Sequence, residues 1–175
     1  MTEKTMPEKY KKTFEISYER YLHDRVAQLV GLMKKFMHKY GREEVLELVK
    51  EYMDEENTRI IKTNFSGMKI ENFGQFKQIF KQMLSMEFYQ NTSTYTIVED
   101  SEEKLEYCFT ECLWVDVMKQ LGFDGENGFQ CFCHVDYSMA RAFHPNVKLT
   151  RSKTLMQGHE CCNHSYSWEE PTSDS

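Results

Sequence analysis

A chain of 175 residues that is 40% hydrophobic and 14% aromatic has enough apolar material for a buried core, which excludes wholesale disorder. A net charge of −6, with lysines interleaved among glutamates, excludes a general nucleic-acid binder, whose affinity comes from a basic face displacing counterions. No apolar run reaches the ~20 residues a membrane helix needs, and residues 1–15 are charged from the third position without a signal-type apolar segment, so a cytoplasmic protein with no membrane partner is expected.

Taken in order, apolar positions at Tyr10, Phe14, Tyr18, Tyr21, Leu22, Val26, Leu29, Val30, Met33 and Met37 recur every three or four residues and predict one long helix over 7–40. Pro7 suits its first turn and Gly41 its end. A second helix follows with Val45, Leu48, Val49, Tyr52, Met53, Ile60 and Ile61 as its stripe, until Ser66-Gly67 interrupts it. Asn72 with Gln75 three residues on has the form of a capping box and opens a third helix through Leu84, which Gln90-Asn91 closes off.

The period then shortens. Residues 92–99 are dense in Thr, Tyr, Ile and Val, and Leu105, Tyr107 and Phe109 alternate with Glu106, Cys108 and Thr110, which predicts a hairpin turning at Asp100-Ser101. A helix over 112–121 stops at Gly122, residues 125–128 read as loop, and 136–143 as a short helix ended before Pro145. Two further strands are expected over 147–155 and 162–168. The sum is an α+β fold: N-terminal helices, then an antiparallel sheet of about four strands with inserted helices. One domain over 1–175 is expected, with a helical half (1–90), an α+β half (91–168) and a polar tail (169–175).

Chemistry concentrates near the C-terminus. Residues 131–166 hold four of the six cysteines and four of the six histidines, with Asp136, Arg141 and Arg151 among them. In a reducing compartment these thiols are metal ligands, reactive groups or small core side chains rather than a disulfide framework. Cys108 and Cys131, flanked by aromatics, read as core, and Cys161 should face away from Cys162 across the strand. Lone His159 and His164 near a hairpin are expected at the surface. Asp136 is placed as the N-cap of its short helix, and Thr154 and Gly158 as strand and turn residues.

Cys112 with Leu121-Gly122 ten residues on, Cys133-x-x-Asp136, Phe143-x-Pro145, and Arg151-x-x-Thr154-Leu155-x-x-Gly158-x-x-x-Cys162 together resemble the L-2-amino-thiazoline-4-carboxylic acid hydrolase family over residues 107–166. The likeness departs from the family's pattern at Val135, where a basic residue is usual, and at Asn163-His164-Ser165, where Asp-Phe-Arg is usual. It implies a hydrolase that opens a small cyclic amidine, of the type that converts 2-amino-thiazoline-4-carboxylate to N-carbamoyl-cysteine. Such a reaction needs an activated nucleophile, a proton carrier and a cation for the substrate carboxylate.

Cys133, Asp136 and Cys162 are the catalytic candidates, with Arg151, Thr154 and Cys112 as substrate contacts. The alternative is a metal set of Cys112, Cys133, Cys162 and His164, of zinc type by its thiolate and imidazole donors. A non-enzymatic reading also stands: a small-molecule- or metal-binding sensor module with a Cys/His-rich site. The partner expected is a small carboxylated molecule, with homo-oligomers forming through the N-terminal helices.

Overall fold

The computed structural model describes residues 8–170. Pro7 and residues 171–175 of the expected tail lie outside the described residues. A 3₁₀ turn at Glu8–Lys11 precedes the first long helix, α1 (Tyr18–Tyr40), which therefore starts well after Pro7. Ser17 sets that start. Its backbone is extended (φ −67°, ψ 155°) and its Oγ accepts the Arg20 N–H at 3.1 Å, which satisfies one of the unpaired donors of the first turn. Phe14, assigned to the helix from sequence, lies outside it and is 80% exposed.

Leu22, Val26, Val30 and Met33 form the buried stripe of α1, while Tyr21 and Leu29 of the expected stripe stay exposed. Gly41 ends the helix at φ +100°, a conformation closed to most side chains, and its N–H reaches the Met37 carbonyl. Helix α2 (Arg42–Asn64) buries Val45, Leu46 and Ile61, but Leu48 and Tyr52 of its expected stripe face solvent. Helix α3 (Phe73–Leu84) is capped by Asn72 as the sequence predicts, with Oδ1 accepting the Gln75 N–H at 3.0 Å.

The polar Gln90-Asn91 does not stop the chain; a further helix, α4 (Glu87–Thr92), runs through it. The Asn91 amide donates to the Glu87 carbonyl and the Thr92 hydroxyl to that of Phe88, so polar side chains close this helix from within.

Strands β1 (Ser93–Asp100), β2 (Lys104–Cys112), β3 (Val147–Thr150) and β4 (Cys162–Trp168) make one antiparallel sheet in the order β1-β2-β4-β3. The α+β class, helices first, is as expected. Strand β3 is shorter than predicted because Asn163 Oδ1 accepts the N–H groups of both Ser152 and Lys153 and turns the chain off the sheet.

Period-two alternation gives the sheet two unlike faces. Leu105, Tyr107, Tyr166 and Leu149 point inward, and α3 covers them: Phe80 and Phe76 stack their rings 4.6 and 5.4 Å from Tyr166. Glu106, Cys108, Asn163, Ser165 and Ser167 share the outer face. A second apolar cluster packs the α1 stripe on Val117, Met118 and Phe123, at and just beyond helix α5 (Leu113–Gln120). Among the described residues, no helix is long and apolar enough to cross a membrane.

Candidate active site

Three elements converge behind the middle of the sheet. Residues 125–143 form one helical rod in three parts: a short helix, α6 (Gly125–Gly128), a π turn over Phe129–Cys133, and α7 (Val135–Phe143). The expected loop at 125–128 is thus helical. The π turn is closed by the His134 N–H on the Phe129 carbonyl at 2.8 Å, five residues back. Such a turn holds one more residue than an α turn and re-aims the side chains beyond it. Cys133 ends it, and Asp136 sits in the first turn of α7. The N-cap position belongs to His134, not to Asp136 as expected.

Opposite them, Cys162 opens β4 and His164 and Tyr166 follow on the same inner face, across from Phe109, Tyr107 and Leu105 of β2. Cys112 closes β2 at the N-terminal end of α5. Each of Cys112, Cys133 and Cys162 lies close enough to at least one other to shift its ionisation, and Asp136 acts on both Cys112 and Cys133. Of the residues assigned from sequence to the reactive group, Asp136 and the Cys133 carbonyl meet at Arg151, while Cys112 and Cys162 lie within electrostatic reach.

Arg151 holds this group in order. Its guanidinium Nη1 donates to Asp136 Oδ2 at 2.6 Å and to the Cys133 carbonyl at 2.9 Å, and its side chain is 2% exposed. It lies just past β3 rather than within a strand. Its Nε is buried with no partner among the described residues. Asp136, though deep, keeps 24% of its side chain exposed; Oδ2 takes the arginine while no hydrogen bond falls on Oδ1 among the described residues.

Burial works against the arginine's charge, but Asp136 and then Cys133 hold it protonated. Burial likewise pushes Asp136 above the usual carboxylate range, with Arg151 pulling back. The two tendencies pull the pair in opposite senses; at 2.6 Å from a guanidinium that stays charged, the ion pair is the state the geometry supports.

Cys133 and Cys112 are protonated at rest. Burial, and then the Asp136 charge, raises Cys133 well above its ordinary value; burial raises Cys112 to about 11, against a partial pull from the Val115 and Trp114 N–H groups. Cys162 Sγ accepts the Leu155 N–H at 3.1 Å. Cys131 is packed in the core with 0% exposure, as expected.

His164 corrects the sequence reading: it is 9% exposed instead of surface-bound. Its ring lies 4.8 Å from that of Phe109, Nε2 is 3.8 Å from Asp136 Oδ2 and Nδ1 is 3.4 Å from the Tyr166 hydroxyl. Burial, then the Arg151 charge, drives it well below 6.5, so it is neutral. The signal was present in the alternation Cys162-His164-Tyr166 against Cys161-Asn163-Ser165. His159 is exposed as expected.

Thr154 is 2% exposed and spent on a turn: its hydroxyl accepts the Gln157 N–H and donates to Gln157 Oε1. It caps the 3₁₀ turn at Leu155–Gln157 that leads to Gly158, whose φ of +91° makes the bend before β4. The metal set of Cys112, Cys133, Cys162 and His164 finds no support in the geometry. Among the described residues, no three His, Cys, Asp or Glu side chains are grouped to hold a metal ion. A separate groove of about 950 Å³ lies between α2 and the far face of α7, lined by Asp54, Thr58, Lys62, Ser138 and Arg141 among others.

An antiparallel sheet backed by helices, with a buried Arg151–Asp136 ion pair behind its centre, defines an α+β protein. The chain belongs to the L-2-amino-thiazoline-4-carboxylic acid hydrolase family, whose sequence profile matches residues 18–166. No curated protein matches it in sequence. Solved structures share the fold, among them the following two. The phenol-responsive sensory domain of the transcription activator PoxR, with phenol, is 16% identical with a TM-score of 0.50, covering 85% of this chain and 77% of that one. The trafficking protein particle complex subunit 3 from Naegleria fowleri, covalently bound to palmitic acid, is 13% identical with a TM-score of 0.52, covering 86% and 97%.

Proposed function

We propose that this protein hydrolyses a small cyclic amidine carrying a carboxylate, of the 2-amino-thiazoline-4-carboxylate type, to an N-carbamoyl thiol. The observation that carries the reading is the free Oδ1 of Asp136 beside Cys133, on a carboxylate whose other oxygen Arg151 already fixes. An amidinium entering here meets a carboxylate, which compensates its charge. The substrate carboxylate accepts from Arg151 Nε, the buried donor that lacks a partner.

Cys133 passes its proton to Asp136 as its sulfur attacks the amidine carbon. The ring carbon–sulfur bond then breaks, and the departing sulfur takes up that proton. Water attacks the resulting isothiourea carbon and expels Cys133, leaving a urea, so that one water is consumed overall and every atom is retained. The Cys133 thiol needs its base because burial keeps it protonated at rest. Cys162 and Cys112 lie within electrostatic reach of Cys133.

The test is release of free thiol from the thiazoline by the full chain, corrected for the protein's own cysteines. Cys133→Ser should abolish release and Cys108→Ser, on the outer face, should leave it intact. Absence of turnover by the wild type, or full turnover by Cys133→Ser, sinks the reading.

A second reading is a sensor that binds a small ligand without converting it; what favours it is the resting state of the thiols, all held protonated where a shift is resolved. Ligand-induced thermal stabilisation with no thiol release would select it. In either case a homodimer through α1 and α2 is proposed, from the second apolar row those helices leave exposed.

A further inference from the structure

On the outer face of the sheet, away from the site, two cysteines meet. Cys108 in β2 stands opposite Asn163 in β4, and Cys161 precedes Asn163 by two residues, which puts it on the same face and diagonal to Cys108. Hydrogen bonding with Cys108 is the first cause of the rise of Cys161 to about 11, followed by burial. Cys108 is half-buried and Cys161 is 9% exposed, and both are free. Lys153, ion-paired with Glu160 at 2.5 Å, feels the charge of either sulfur. Nothing in the reaction proposed above uses this pair.

A disulfide needs the two Cα atoms within about 7 Å, and diagonal neighbours on one sheet face stand about 7–8 Å apart, so a small backbone shift closes the gap. Cys161 also lies just before the first ladder position of β4, at Cys162, so its backbone is free to adjust. We propose that Cys108 and Cys161 are a redox modification site that closes to an intramolecular disulfide by exchange with a low-molecular-weight disulfide of the glutathione type. Cys108, the more open of the two, attacks as thiolate. The small molecule's sulfur–sulfur bond breaks, and one small thiolate leaves and takes up a proton. Cys161, which holds its own proton, loses it and attacks the Cys108 sulfur of the mixed disulfide, expelling the second half as thiol. Two protein thiols are oxidised and one small disulfide is reduced to two thiols. The second step is fast because the resolving thiol is already in place.

The experiment equilibrates the folded full chain in glutathione buffers from reducing to oxidising, then alkylates the remaining thiols and maps peptides by mass spectrometry. The expected result is a peptide pair joined through Cys108 and Cys161 in most of the protein at the oxidising end, reversed by reductant. Cys112, Cys133 and Cys162 should stay alkylable after unfolding. Cys108→Ser should stop at a glutathione adduct or remain reduced, while Cys133→Ser should still form the link. The proposal is overturned if wild-type Cys108 and Cys161 stay reduced, stop at mixed disulfides, or join other cysteines instead. Formation of the link only in denaturant overturns it equally. The wild-type map decides the matter even where a variant fails to fold.

Discussion

Arg151 Nη1 sits 2.6 Å from Asp136 Oδ2 with only 2% of the arginine side chain exposed, and the same nitrogen holds the Cys133 carbonyl at 2.9 Å. The pair therefore ties the end of the π turn to the start of α7. Removing one member strands the other charge in the interior, which typically costs about 3–5 kcal/mol, whereas removing both costs far less. Arg151→Met should lower unfolding stability by about 3 kcal/mol, and Asp136→Asn with Arg151→Met should recover a large part of it. Urea unfolding of the three proteins measures this. Equal losses in the single and double variants would show that the pair contributes nothing as a pair.

Much of this was legible in the sequence because it rests on periodicity. The strand at β4, the Asn72 cap and the Gly41 stop each follow from local chemistry that tertiary contacts do not override. The start of α1 was not, because apolar spacing cannot say which residues find a partner: Phe14 has the right phase but ends up 80% exposed. The π turn was equally hidden, since no residue type marks it. Departures from the family's pattern within β4 sort themselves by sheet face. Asn163, where the family has Asp, is outward and its Oδ1 accepts two N–H groups, a task that either residue performs. Ser165 is outward too. His164, where the family has Phe, points into the site, so that is the departure with chemical weight.

His164 makes stability depend on pH. It is neutral in the fold, driven well below 6.5 by burial and then by Arg151, while the unfolded chain takes up the proton near 6.5. This contribution is fully present above 6.5 and is lost as the pH falls from there toward the folded value. The slope is at most about 1.4 kcal/mol per pH unit for one histidine. His134, lowered first by burial, adds a second share over the same window. His164→Phe should remove the larger share, seen as a flatter urea midpoint between about pH 6.5 and pH 5. An unchanged slope in that variant would mean the imidazole is protonated in the folded protein.

Gly128 packs against the 3₁₀ turn that Thr154 caps. A Cβ there would fall 2.5 Å from Met156 Sδ and 2.8 Å from the Phe123 carbonyl oxygen, and the latter belongs to backbone that has little room to yield. Gly128→Ala should therefore destabilise by about 1–3 kcal/mol, the usual cost of overfilling a packed interior, although alanine is ordinarily the better helix former. Gly31, in the middle of α1 with nothing within 4 Å of its Cβ position, is the control: Gly31→Ala should stabilise. If both substitutions shift the thermal midpoint upward, the close approach of Met156 to α6 is not present in solution.

The last prediction concerns the row that α1 leaves uncovered. Leu29, Leu32, Phe36 and Tyr40 are 37%, 50%, 42% and 53% exposed at steps of three and four, alongside the buried stripe, and Leu48 and Tyr52 of α2 are exposed at 64% and 59%. Apolar side chains in such a row gain by being covered, and a second copy supplies a matching row with complementary charge. Lys35 and Lys39 lie near the end of α1, whereas Glu44, Glu47 and Glu51 lie near the start of α2. Both groups sit at the Gly41 corner, so a two-fold contact centred there brings the basic group of each copy to the acidic group of the other. Light scattering on the eluting protein should give twice the 20.9 kDa chain mass. Leu32→Glu with Phe36→Glu should return it to one chain with circular dichroism unchanged, because neither side chain belongs to the core. A wild-type protein that elutes as a single chain at micromolar concentration would leave this row without a homomeric partner.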